Sequence, residues 1–143
     1  MPEAVESGMK ASIGRLALRL QRKVRQDKLT GQVLKVRTGT LRRSIDQVVL
    51  SEPGAVIGIV STNVKYGKAH EYGYKGPVNI KAHMRLIKQA WGKPLKYPVW
   101  SSVKAHTANV DLPERSFLRS ALRDMAPEIK ADIASAINGA IRK

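Results

Sequence analysis

NIKAHMRLI (residues 79–87) and SVKAHTANV (residues 102–110) nearly repeat each other, each carrying an apolar-Lys-Ala-His core, and the way they pair decides the fold of the middle of the chain. With the turn at KPLK (residues 93–96) and the flanking segments antiparallel, His83 falls opposite His106, Met84 opposite Ala105 and Leu86 opposite Val103. Strand side chains alternate between faces. This register therefore predicts one apolar face of Ala82, Met84, Leu86, Val103 and Ala105. The other face gathers Lys81, His83, Arg85, Lys104 and His106 with no acid. A slip of one residue in either arm would put its apolar set among the charges. Arg85 facing Lys104 costs a few tenths to about 1 kcal/mol in isolation, so the five residues are read as facing a partner or DNA. Trp91 and Trp100 fall near the hairpin tip, where exposed aromatics serve as anchors.

Working outward, residues 33–110 read as a sheet region whose long hairpin covers 78–110. DQVVL and AVIGIVS flank SEPG (residues 51–54), whose Pro and Gly suit a tight turn between antiparallel strands. VLKVRTGTLRRSI (33–45) reads as a loop with one helical turn, interrupted by Thr38, Gly39 and Thr40. TNVKYGKAHEYGYKG (62–76) reads as a loop around a short helical turn near residues 68–72. Ahead of these, Val5, Met9, Ile13, Leu16, Leu20 and Val24 fall on one helical stripe. They predict an amphipathic helix over 2–29, stopped by Gly31. Beyond the sheet, Phe117, Leu118, Ala121, Leu122 and Met125 predict a helix over 114–125. Pro127 should break the chain there and open a second helix over 127–142, carrying Ile129, Ile133, Ile137 and Ile141. The fold class is α+β: an antiparallel sheet with a long hairpin, packed by an N-terminal amphipathic helix and C-terminal helices, in a single domain.

The charge is the compositional outlier. Twenty-six Lys and Arg against 11 Asp and Glu give +15, a field that attracts polyanions and acidic protein surfaces. The basic residues run through the whole chain, so the charge belongs to the folded body and not to a tail. Without cysteine there is no disulfide, thiolate metal site or Cys nucleophile. No run is apolar and long enough to span a bilayer and no signal-peptide pattern opens the chain, which points to a cytoplasmic protein without a membrane partner. His70 and Glu71 have no second histidine to complete a His-Glu-x-x-His motif. Phosphate-binding Gly-rich loops, nucleophile elbows and carboxylate clusters are likewise missing. The reading is a non-enzyme with no catalytic residue, metal or cofactor.

Three segments carry a family resemblance: VRTGTLRRSI (36–45), VSTNVKYGKAHEYG (60–73) and LPERSFLRSAL (112–122). In this order they resemble the tail-completion and head-tail joining proteins of long-tailed double-stranded DNA bacteriophages. Those proteins typically show Arg-Thr-Gly-x-Leu-x-x-Ser-Ile, a Val-x-Tyr-(Ala or Gly)-x-x-x-Glu-(Phe or Tyr)-Gly box, and a Pro-x-x-(Pro or Ser)-Phe-Leu-(Arg) box. The matching positions are Arg37, Thr38, Gly39, Leu41, Ser44 and Ile45; Val64, Tyr66, Gly67, Glu71, Tyr72 and Gly73; and Pro113, Phe117, Leu118 and Arg119. Ser116 stands where the family often has Pro.

The resemblance implies a virion structural protein of the tail or neck, assembled in the host cytoplasm. It implies a homo-oligomeric ring, commonly a hexamer, that completes the tail and joins it to the head. Adjacent tail-terminator, tail-tube or head-completion proteins would be its neighbours, and double-stranded DNA would pass through the lumen in transient, sequence-independent contact. Arg37, Tyr66, Tyr72, Trp91, Trp100, Phe117 and Arg119 are the interface candidates. The alternative is a basic nucleic-acid-binding module contacting duplex phosphates.

Overall fold

The computed structural model describes residues 3–142. The chain is α+β and divides into two compact units. The first comprises residues up to Gly73 and from Pro113 onward; the second is Tyr74–Leu112.

In the first unit, α1 (Glu3–Lys23) continues into a wider π-type turn (Val24–Gln32). The expected stop at Gly31 is present, with a φ of 128° that only glycine adopts at little cost. The N–H groups of Val33 and Leu34 turn back to the Lys28 carbonyl, which closes the helix end. The predicted start at Pro2 lies outside the described residues. A short α2 (Thr40–Ser44) follows, its entry made by Gly39 with a φ of 73°. Strands β1 (Ile45–Glu52) and β2 (Ala55–Thr62) then form the hairpin expected around Pro53 and Gly54, with Glu52 opposite Ala55.

Val49 lies opposite Gly58 on the face that meets α1. A Cβ at position 58 would come 2.8 Å from Cγ2 of Ile13, so glycine is what lets the helix approach the ribbon. After α3 (Lys65–Tyr72), the chain leaves this unit and returns to form α4 (Leu118–Ile141).

The core of this unit is aliphatic around one aromatic ring: Val24, Leu29, Leu34, Ile45, Phe117 and Ala121 form a single buried cluster. Polar links fix the helices around it. Arg19 pairs with Glu128 and Asp132, tying α1 to α4. The buried Lys28 ammonium reaches Asp124 at 2.6 Å, and that hydrogen bond and positive charge hold the Asp124 carboxyl below its ordinary pKa. Side chains of Gln21 and Arg25 both donate to the Ile45 carbonyl, where β1 begins.

One sequence expectation about the C-terminal region changes. The helices expected over 114–125 and 127–142 are one continuous helix, with Pro127 inside it. A proline there removes a single backbone donor. Residues on both sides of it, Met125 buried in the core and Glu128 paired to Arg19, hold the helix against α1.

The second unit is one antiparallel ribbon in two ladders. Strands β3 (Tyr74–Ile80) and β6 (His106–Leu112) pair from Tyr74–Leu112 to Ile80–His106, and β4 (His83–Ala90) and β5 (Lys93–Val103) from His83–Val103 to Ala90–Lys93. The hairpin is longer than the expected 78–110, and its turn is Trp91–Gly92, not KPLK. Both turn residues have positive φ, 50° and 76°, the twist that two-residue hairpin turns require.

Three residues of slack are absorbed where Ile87 pairs with Val99 but Gln89 pairs with Pro94, leaving Leu95, Lys96, Tyr97 and Pro98 against Lys88 alone. The register therefore shifts by three from the one expected. Because three is odd, the shift also reassigns the faces.

Candidate functional site

The shifted register answers why apolar-Lys-Ala-His occurs twice. His83 and His106 are not opposite each other; His83 faces Val103 and His106 faces Ile80. Each histidine opposes the apolar residue that heads the other copy of the motif. Between them, Lys81–Ala82 and Lys104–Ala105 interrupt the two strands at matching points.

Each histidine closes its own corner in the same way, its Nδ1–H donating to the carbonyl of the lysine two residues earlier at 2.9 Å. The repeat is thus a two-fold-like pair of corners in a ribbon. The single cationic face of Lys81, His83, Arg85, Lys104 and His106 is not formed. His83 and Arg85 lie on the face of Ile87, Val99 and Val103 in one ladder, while His106 lies in the other with Ile80, Val78 and Val110.

What the ribbon lacks is a core. None of residues 74–112 is buried. The β3–β6 ladder alternates cleanly, with Tyr74, Val78, Ile80, Ala108, Val110 and Leu112 on one face. Its other face is polar: Thr107 donates to Asn79 at 3.0 Å and Lys75 pairs with Asp111 at 3.8 Å. In the β4–β5 ladder both faces carry apolar residues, Met84, Leu86 and Trp100 on one and Ile87, Val99 and Val103 on the other. Trp91 at the turn is 99% exposed and Trp100 62%. The ribbon holds seven Lys and Arg against one acid.

In the first unit the three sequence boxes converge. Glu71, from the second box, is buried with its carboxylate at the start of α4. It accepts the backbone N–H of Phe117 (2.8 Å), Leu118 (2.9 Å) and Arg119 (3.0 Å) and the Ser116 hydroxyl (2.7 Å). These donors have no partner within their own helix. Burial alone would raise the Glu71 pKa, but the hydrogen bonds from Leu118, Ser116, Arg119 and Phe117 outweigh it and hold the group below the usual carboxylate range.

Arg119 completes the arrangement. Its Nε donates to Glu71, its other guanidinium nitrogen bridges the Glu71 carbonyl and Glu114, and its ring-facing side lies 4.4 Å from the Tyr72 centroid. The Glu71 hydrogen bond raises the already high Arg119 pKa. Phe117, expected at an interface, is completely buried. No local signal in the sequence marks Glu71 as this cap, because its donors lie more than forty residues away.

Arg37, Thr38, Gly39 and Leu41 of the first box and Tyr66 of the second line a groove of roughly 1080 Å³, with His70 and Arg115 completing it. Gly67 makes this junction tight: a Cβ there would stand 3.0 Å from Thr62 and 3.3 Å from Leu41. Tyr66 meets His70 edge to face at 6.0 Å between centroids. Of the interface candidates, Arg37, Tyr66, Tyr72, Trp91, Trp100 and Arg119 are exposed.

No group of three or more His, Asp or Glu side chains fit to hold a metal occurs among the described residues. No described helix is long and apolar enough to cross a membrane. Compared with protein-family models, curated proteins and solved structures, the chain matches none.

Proposed function

We propose that this chain is a structural protein of a bacteriophage tail or neck. It would assemble as a ring and dock to adjacent rings through the 74–112 hairpin. The observation that carries this reading is the absence of any buried residue in that hairpin. A two-stranded ribbon without a covering layer is marginal in water. This one nonetheless presents Tyr74, Val78, Met84, Val99 and Trp100, an apolar load that a partner surface would bury.

The three boxes that carry the family resemblance add support because they form one physical unit. The second box caps the helix begun by the third, and the first and second wall a common groove. On this reading the protein completes the tail and joins it to the head. DNA passes through the lumen without sequence readout.

A module that grips duplex phosphates is the less favoured reading. Phosphate tracking wants cations on one surface. In this ribbon the register distributes them over both faces and both ladders.

Light scattering and electron microscopy of the purified full chain, alone and mixed with tail tubes, test the proposal. Rings, or rings that appear on tube ends, are expected. A chain that stays monomeric in both conditions, and whose deletion leaves tails intact, would contradict it.

A further inference from the structure

We propose that the groove walled by residues 33–42 binds an extended acidic segment of another protein, apolar side chains on its aliphatic floor and carboxylates on its rim of Arg37, Arg42 and Arg115. Leu34 and Leu41 contribute the floor. Lys35 adds a fourth cation to the lining, which contains no acid at all. None of these four cations takes part in an ion pair among the described residues. A concentration of unpaired positive charge around an apolar floor is complementary to a chain that alternates acidic and apolar residues.

One local feature suits an extended occupant. Lys35 and Val36 belong to no helix or strand and make no backbone–backbone hydrogen bond among the described residues, so their peptide groups are open to pairing with another chain.

The lining argues against duplex DNA, whose phosphate backbone could meet the rim cations but has no apolar side chains to set on the aliphatic floor. A second copy of this chain is also a poor occupant. Seven of its carboxylates, those of Asp27, Glu71, Asp111, Glu114, Asp124, Glu128 and Asp132, are already in ion pairs. The remaining four lie on α1 and β1. The groove is therefore assigned to a heterologous acidic segment, whether or not the chain forms rings.

The test uses the full chain and a short fluorescent peptide of alternating Glu and Leu, followed by anisotropy at physiological salt. Saturable binding is expected, weakened roughly tenfold when Ser replaces Leu in the peptide and by a similar factor in the Arg37→Glu, Arg42→Glu variant. The Lys10→Glu, Arg15→Glu variant carries the same charge change on exposed positions of α1 and should bind as the parent does. In the unmodified chain, ring resonances of Tyr66 and His70 should shift during titration. Equal weakening in both charge variants, no saturable binding, or shifts confined to other residues would overturn the proposal. So would a DNA duplex that displaces the peptide and loses its own affinity only in the groove variant, because the groove would then belong to nucleic acid.

Discussion

The two units use the same residue chemistry to opposite ends. In the first, Val24, Ile45 and Phe117 are wholly enclosed and every helix is tied to a neighbour. In the second, a ribbon with comparable apolar content encloses nothing. The backbone hydrogen bonds of a hairpin are worth little net stability in water, and burial is what makes a fold secure. The first unit supplies its own burial; the second does not, and on the proposed function it would receive it from another molecule.

The largest expected effect that would break this contrast comes from matched truncations. Phe117→Ala should cost about 3–5 kcal/mol by removing a fully buried ring, measured by denaturant unfolding. Trp91→Ala should change the same measurement by less than about 0.5 kcal/mol, as for an exposed side chain. Equal losses would erase the distinction.

Next in size is the helix cap. Glu71→Ala should cost about 2–4 kcal/mol, because it leaves the buried N–H of Phe117 and its neighbours without an acceptor. Glu71→Gln keeps one acceptor oxygen and should cost less. The pH dependence follows from the sign of the shift. Glu71 has a folded-state pKa below its unfolded value, so its contribution is complete above the unfolded pKa. It is lost as pH falls through the lower, folded one. Acid unfolding of the parent should therefore be steeper than that of Glu71→Gln.

The amount that was legible in the sequence differs between the units for a physical reason. In the first, periodicity found α1, Pro and Gly found the β1–β2 turn, and Gly31 and Gly39 marked the breaks, because each of these signals is local. The Glu71 cap was not legible, since it joins positions far apart in the chain. Nor was the continuity of α4, which the packed residues around Pro127 sustain against the local preference of proline.

In the ribbon, strands were legible but their register was not. Both ladders leave apolar residues on exposed faces, so burial does not select one alignment. Pro94 and the flanking lysines of KPLK drew the turn away from Trp91–Gly92. The candidate cationic face fell with that register. The echo that suggested it survives as a symmetric pair of corners, each closed by its own histidine.

Smaller effects sharpen the comparison. Gly58→Ala should destabilise the first unit by about 1–2 kcal/mol, since the new methyl meets Ile13 in a packed contact; thermal unfolding would register it. Smallest of all, Trp91→Asn should stabilise the hairpin turn by a few tenths of a kcal/mol, because Asn tolerates the positive φ of that position better. Chemical-shift changes confined to the ribbon, with no change in global unfolding, would be its signature.

Amide hydrogen exchange, measured on the dilute monomeric chain and again in its assembled state, tests most directly whether a partner supplies the missing layer. Cross-strand amides of residues 74–112 should exchange orders of magnitude faster than those around Ile45 and Phe117 in the monomer, and become protected on assembly. Protection of the ribbon equal to that of the core in the monomer, or ribbon amides that remain unprotected in the assembled particle, would contradict the account.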